Sequence, residues 1–514
     1  VPGAINSIII VGGGLSGWMT ALYLNHLYNQ HKQAVEISLI DSSDAGIIGA
    51  GEASLSNIRF FFAAMGLDEN ELIRETNATL KSGILFKHWR QPIAGEEHQF
   101  FHPCDHIKLG PGLDIATQWL LTNRKQFERF DQGSSLSAHL MLRGQSPKTD
   151  SCHPYEGVVP YGYHFDATLM FRYLRKKAIA AGVKHIETKV TDIDCHAGNI
   201  ESVETEYGRH KADYYLDCTG FKGVLIERLK KENWHSLSSQ LPCNRAVTMQ
   251  VAYEAGEQPR TFTQATALKY GWAWQIDLVN RRGTGYVYDG ERISSLQAEQ
   301  ELTAHIGNQV KILGCQHVEL KVGHRNEFWL GNCIALGLSG GFIDPLESTG
   351  LHLVHTGVRM LASHLSSNKV SPSVRDAYNS IMVREYQALS RFIRLHYYLT
   401  DRRDTSFWRQ FKAHAGDEEL ARLLALWRYK VCEAEDIANT GTGVFSADEY
   451  RFVLYGMQYL PQLSLAYDET QVNQVFARLD SKVQHTLDNT IAHQDFLQAL
   501  HDMPLQEIAS LWSR

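Results

Sequence analysis

The chain opens on a short apolar run, Ile8 to Val11, that breaks at Gly12-Gly13-Gly14 and resumes as Leu15, Trp18, Met19 and Leu22. The i, i+3, i+4, i+7 spacing predicts a strand, a tight turn and a helix. Val35, Ile37 and Leu39 then alternate into a second strand ending at Asp41, which makes a βαβ opening. Between about residues 52 and 90 the apolar spacing predicts helix. From His98 to Tyr163 the chain is rich in Gly, Pro, His and aromatics, a pattern of long loops and short strands. Asp166 is placed to cap a helix carrying Leu169, Met170, Tyr173 and Leu174 that closes at Gly182, and a strand through Ile186 and Val190 follows. Tyr214 to Asp217 reads as a buried strand running into Cys218-Thr219-Gly220. Residues 245–330 read as mainly β, and beyond about residue 350 the pattern is helical to the end. Without repeats or Ser/Gly linkers, the modules are expected to pack closely.

The first turn carries chemistry. Gly12-x-Gly14-x-x-Gly17 stands after a strand and at the start of a helix, where backbone N–H groups around Leu15 and Ser16 meet a pyrophosphate. Asp41 follows Gly17 by 24 residues, at the strand end where a carboxylate bonds ribose hydroxyls. A lone glycine triplet is weak, but both strands and the acid are in place, and together they predict a dinucleotide. None of the later glycine segments, such as Gly110-Pro111-Gly112 or Gly337-Leu338-Ser339-Gly340-Gly341, completes a second such motif. The expectation is one dinucleotide, a flavin, that receives its electrons from elsewhere.

Composition narrows the partners. A net charge of -7 over 514 residues leaves no electrostatic footprint for nucleic acid, which points to a small-molecule partner. The eight cysteines never approach C-x-x-C spacing, so no zinc or redox pair is expected. No apolar run approaches the ~20 residues of a membrane span, and a cytoplasmic location is expected. His98, His102 and His106 invite a metal reading at i, i+4, i+8, but Pro103 argues against a continuous helix there.

Further motifs carry a resemblance. Gly51-Glu52-Ala53 with Asn77-Ala78-Thr79-Leu80-Lys81, Tyr163-His164-Phe165-Asp166, Asp217-Cys218-Thr219-Gly220-Phe221, Gly271-Trp272-Ala273-Trp274-Gln275-Ile276 and Phe342-Ile343-Asp344-Pro345-Leu346-Glu347-Ser348-Thr349-Gly350 occur in order. His396-Tyr397-Tyr398-Leu399-Thr400, Asp404-Thr405 and Trp408 extend the series. The chain thereby resembles the flavin-dependent tryptophan halogenase family. The resemblance implies an α/β fold: a Rossmann-like FAD module of the aromatic-hydroxylase type, an interleaved β substrate module and a helical C-terminal region. The expected boundaries are residues 1–355 for the FAD module, with the substrate module at about 90–160 and 225–330, and 356–514 for the helical region packed over the substrate site.

The implied reaction uses reduced FAD and oxygen to oxidise a halide ion to hypohalous acid, which travels through a tunnel to the substrate. Lys81 then hydrogen-bonds the oxidant or becomes a haloamine, because an ammonium donates to the departing oxygen and a neutral amine attacks halogen. Glu347 orients the lysine, polarises the oxidant or accepts the proton released by substitution. Thr349 and Gly350 resemble the halide site. Ala50, Val190, Gly337 and Leu338 are further expected flavin contacts, and His102, Cys104 and Pro345 are expected in the substrate pocket. By residue type alone, Lys81 is a solvated helix lysine and Glu347 a surface acid; only the motif context raises either. The expected partners are an aromatic small molecule, a separate NAD(P)H flavin reductase and, as an assembly, a second copy in a homodimer, with neither nucleic acid nor membrane.

The pattern is broken in places. Asp277 replaces the proline that closes the family's Trp-x-Trp-x-Ile-Pro. Cys104 stands where free-tryptophan enzymes carry an indole-stacking aromatic, and the short, glycine-rich residues 439–450 lack the family's paired-tyrosine lid. The expected substrate is therefore an indole-like or other electron-rich aromatic rather than free tryptophan. A flavin monooxygenase and a flavin-binding protein without turnover are the competing readings.

Overall fold

The computed structural model describes residues 3–30, 35–42, 51–92, 95–107, 114–122, 128–149, 151–411, 417–438 and 443–502. The fold is α/β, and the chain divides into two compact, interleaved units: residues 1–76, 165–244 and 319–387 form one, and residues 77–164, 245–318 and 388–514 the other.

The first unit is built on a six-stranded sheet in the order Trp329–Leu330, Cys333–Ala335, Tyr214–Asp217, Ser7–Val11, Glu36–Asp41, Lys184–Glu187. All neighbours run parallel except Trp329–Leu330. The central strands bury Ile9, Val11, Ile40 and Tyr215 in one apolar cluster with Leu225, Ile226 and Cys333, at about 1.5–3 kcal/mol for each large aliphatic side chain removed from water. Helix Leu15–Asn29 covers the sheet beside Ala167–Ala180 and Gly350–His364. As the sequence predicts, Asp166 caps Ala167–Ala180 by accepting from the amides of Thr168 and Leu169. The strand that follows is shorter than expected: it closes at Glu187, and Val190 lies beyond it, packed on the apolar cluster.

The second unit holds a seven-stranded sheet in the order Ile312–Glu319, Arg245–Val251, Arg282–Tyr288, Gly271–Asp277, Phe262–Ala267, Gly83–Lys87, Gln99–Pro103. Helix Ser295–Ile306 packs on it through Ala298 and Leu302. The helical expectation for residues 52–90 holds only for Ile58–Ala64 and Glu69–Glu75; Thr79–Lys81 and Gly83–Lys87 are strands. Distant partners override the local pattern, since Gly83–Lys87 is sandwiched between Phe262–Ala267 and Gln99–Pro103. The stretch expected as loops and short strands also contains helices Ile115–Leu121, Phe130–Ser134 and Leu136–Arg143.

Asp277, the departure from Trp-x-Trp-x-Ile-Pro, is fully buried and clamped. Arg260 Nε donates to its carboxylate at 2.7 Å and Arg282 Nε at 2.9 Å, while its carbonyl accepts from the Thr79 hydroxyl at 2.6 Å. Burial alone would raise the Asp277 carboxyl, but the hydrogen bond and charge of Arg260, then the charge of Arg282, hold it down at about 2. Nearby, His493 receives the Leu80 amide on Nε2 at 3.2 Å and lies 3.1 Å from the Pro259 carbonyl through Nδ1. Those partners assign the proton to Nδ1. Burial lowers His493 to about 4 and drives His164 well below its ordinary range.

Both histidines are neutral in the folded chain and protonate near pH 6.5 when unfolded, so the stability they contribute is complete above that pH and drains away as pH falls toward 4. The Asp277 contribution is lost lower, as pH falls from 3.8 to about 2. The urea midpoint of unfolding should therefore drop between pH 7 and pH 5, on the order of 1.4 kcal/mol per pH unit for each histidine; a flat midpoint contradicts this. Asp277→Asn, which leaves Arg260 and Arg282 without their shared anion, should cost about 3–5 kcal/mol at pH 7 in the same assay.

Candidate active site

The dinucleotide turn of the first unit is shaped by close approach. Gly12 has φ +108°, and a Cβ there would overlap the Cys218 carbonyl. A Cβ on Gly13 would overlap the Asp41 carboxylate, and one on Gly17 the Gly12 carbonyl. Gly14 is different: a Cβ there would meet nothing within 4 Å. Gly14 is also the N-cap of helix Leu15–Asn29, with no side-chain cap and no acid in the first turn. Half-buried Leu15 and Ser16 follow. A helix start without a side-chain cap, with open space at Gly14, has the form an FAD pyrophosphate requires.

Asp41 ends its strand as expected, but its carboxylate is engaged, 2.5 Å from His185 Nε2. Gly337 begins a short helical turn, Gly337–Ser339, at φ +62°, and a Cβ there would press on the Ser16 side chain. The structure thus brings Gly12, Gly14, Leu15, Ser16, Gly17, Gly337 and Leu338 to one end of the parallel sheet. Val190 contributes to the core, and Ala50 lies outside the described residues.

A buried carboxylate that the motif contains but whose role composition cannot reveal holds this end together. Asp217 accepts from the Thr219 amide and hydroxyl, the Leu225 and Ile226 amides, and the Ser339 hydroxyl at 2.9 Å. At the end of this strand the Cys218 carbonyl closely approaches the Gly12 turn.

In the same unit, Asp344 caps the turn Pro345–Glu347 through the Leu346 amide, and Ser348 reverses the chain at φ +59°. Thr349 is the N-cap of helix Gly350–His364, again without a side-chain cap and with no acid in the first turn. Glu347 and Thr349 are buried, at 1% and 2% exposure, while Gly350 is exposed with open space at its Cβ position. Half-buried Pro345 starts the turn. A second uncapped amide end, with a hydroxyl beside it, can hold a small anion. Within the first turn of this helix, His352 Nε2 lies 3.0 Å from the buried Glu385 carboxylate and Nδ1 lies 3.1 Å from the Asn57 amide nitrogen, so the helix start is braced from two sides.

Lys81 belongs to the second unit. It ends strand Thr79–Lys81, which pairs antiparallel with Gly162–Phe165, and it is 1% exposed. Lysine is almost never so buried unless it is paired. Its charge is the second cause, after burial, that keeps His164 neutral. The Cys104 thiol lies 3.8 Å from the Lys81 carbonyl. His102, on strand Gln99–Pro103, is enclosed by aromatic rings: Phe392, Phe452 and Phe445 have centroids at 5.9, 6.0 and 6.3 Å. Phe445 stacks on Phe392 at 4.0 Å. These three phenylalanines escaped the sequence reading; Phe445 sits in the glycine-rich stretch, of which residues 439–442 lie outside the described residues. The three histidines that invited a metal have separate surroundings, with His98 on the Gly456 carbonyl and His106 on Asp448.

The chain is similar to known proteins over nearly its whole length. The family model described as tryptophan halogenase matches residues 7–471. Tryptophan 6-halogenase SttH of Streptomyces toxytricini is 31% identical, over 96% of this chain and 98% of its own. The solved structure of Tar14, a tryptophan C-6 flavin-dependent halogenase from taromycin biosynthesis, superposes with a TM-score of 0.89 at 31% identity, covering 96% of this chain and 100% of Tar14. BrvH, a flavin-dependent halogenase from Brevundimonas sp. BAL3, gives 0.85 at 29% identity, covering 96% and 99%. Likeness of sequence and fold over nearly the whole length, with the glycine turn and the buried lysine inside it, means that the chain belongs to the tryptophan halogenase family of flavin-dependent enzymes.

Proposed function

We propose that the chain uses reduced FAD, oxygen and a halide ion to generate hypohalous acid, which reaches Lys81 and halogenates an indole-like or other electron-rich aromatic other than free tryptophan. The carrying observation is the burial of Lys81 in a chain of this family. Bound in its reduced form, FAD would supply two electrons to oxygen, the halide giving the other two as it becomes hypohalous acid and water is released, and a separate NAD(P)H flavin reductase supplies the reduced cofactor. Among the described residues no helix is long and apolar enough to cross a membrane.

The amides of Gly14, Leu15 and Ser16 hold the pyrophosphate, Asp41 orients the ribose, and Gly337 and Leu338 lie against the flavin. Thr349 and Gly350 offer a hydroxyl and an N–H to the halide. The Lys81 ammonium donates to the oxygen of hypohalous acid, which makes the halogen more electrophilic; as a neutral amine the same group takes the halogen itself. Glu347 accepts the proton that the ring releases. His102 and Cys104, beside the Lys81 strand in the second unit, face the substrate. The relatives named above are tryptophan halogenases, but Cys104 in place of an indole-stacking aromatic and the stacking of Phe445 on Phe392 favour an aromatic without an amino-acid tail.

Gly14→Ala separates folding from cofactor binding: with open space around the new methyl and an ordinary φ of -72°, the thermal midpoint of the apoprotein should stay unchanged while FAD affinity, read by flavin fluorescence, falls at least about tenfold, or about 1.4 kcal/mol. Unchanged FAD affinity would refute the assignment of that space to the pyrophosphate. Lys81→Ala should keep FAD affinity and lose product formation by a factor on the order of 10²–10⁴, whereas undiminished turnover removes the lysine from the reaction. In competition assays, substituted indoles should be used well ahead of free tryptophan; equal kcat/KM for both contradicts the substrate proposal.

A further inference from the structure

Outside the flavin and lysine regions, three side chains that no single sequence motif contains converge on the second unit's surface. Strand Ile312–Glu319 is the edge of the seven-stranded sheet, and its two-residue period puts Cys315 and His317 on one face. Helix Ser295–Ile306 presents Glu299 to them. His317 Nε2 lies 2.9 Å from Glu299 Oε2, and one ligand atom from each of the three residues falls within 4.8 Å of the others. Glu299 is half-buried, and Cys315 and His317 are exposed, so an ion has direct access from solvent.

We propose that Glu299, Cys315 and His317 form a zinc site. Zinc bonds of about 2.0–2.3 Å in a tetrahedron set ligand atoms about 3.3–3.8 Å apart. The His317–Glu299 separation of 2.9 Å lies just below that range and all three ligand atoms lie within 4.8 Å of one another, so small side-chain rotations close the site. The donor set decides the metal: a thiolate and an imidazole select Zn²⁺ over Mg²⁺ or Ca²⁺, which take oxygen ligands. An ion pair between Glu299 and His317 alone, exposed as it is, would be weak and would need no thiol beside it. Zinc replaces that pair with three metal bonds and releases two protons to solvent, one from the Cys315 thiol and one from the His317 imidazolium; the fourth position takes water. The site staples the helix to the free edge of the sheet across the connection at residues 307–311.

The test uses the full-length, FAD-loaded chain dialysed against Zn²⁺ alone, with Co²⁺ as a spectroscopic probe. One Zn²⁺ per chain is expected, a Tm rise of about 2–4 °C, and with Co²⁺ the intense visible d–d bands of a tetrahedral thiolate site, to the red of flavin absorption. Cys315→Ser should abolish the d–d bands, and Cys315→Ser and His317→Ala should each lower Zn²⁺ retention at least about tenfold while leaving halogenation unchanged, which shows that both variants fold. Zinc retention or d–d bands that survive Cys315→Ser overturn the proposal, as does wild-type protein that retains no metal.

Discussion

One buried carboxylate governs the end of the parallel sheet on which the flavin chemistry depends. Asp217 sits in register with Val11, at the point where two neighbouring strands give way to loops. It draws together residues 219–226 and the turn at Ser339 through five hydrogen bonds from neutral donors. Hydrogen bonds to an ionised group are about twice as strong as neutral ones, and a buried anion left unsatisfied is costly. The segment is therefore fixed in position. Because the Cys218 carbonyl abuts Gly12, fixing one strand end fixes the other, and the glycine turn inherits its geometry.

The second unit meets the opposite problem: it must keep a lysine out of water on a strand of three residues. So short a strand has little stability of its own. Its hold comes from contacts at each position: the Thr79 hydroxyl on the Asp277 carbonyl, the Leu80 amide on His493, and the backbone pairing of Lys81 with Gly162. Asp277 is itself held by Arg260 and Arg282. The residue that breaks the family's proline signature thus supports the lysine strand in this chain. Keeping His164 and His493 neutral avoids adding positive charge next to Lys81.

What could be read from the sequence was what local spacing determines. The strand, glycine turn and helix around Gly12 obey short-range rules, as does the Asp166 cap, and both appear as expected. The lysine strand was hidden inside a helix-like apolar pattern because its partners lie far along the chain. Phe445 was hidden because it lies just before the N-cap of helix Ala447–Gly456, in a glycine-rich stretch without regular spacing, and its stacking partner Phe392 is far away along the chain. The meeting of Glu299 with Cys315 and His317 is of the same kind: neither the helix nor the strand alone has ligand spacing, and only their packing creates it.

The central claim is that oxidising power passes to a halide before it reaches the aromatic substrate. It is tested most directly by mass spectrometry of reactions containing the chain, FAD, a flavin reductase, NADH and oxygen over a panel of indoles, phenols and pyrroles, with and without bromide. The account predicts brominated products that appear only with bromide. Hydroxylated products formed equally well without any halide would contradict it.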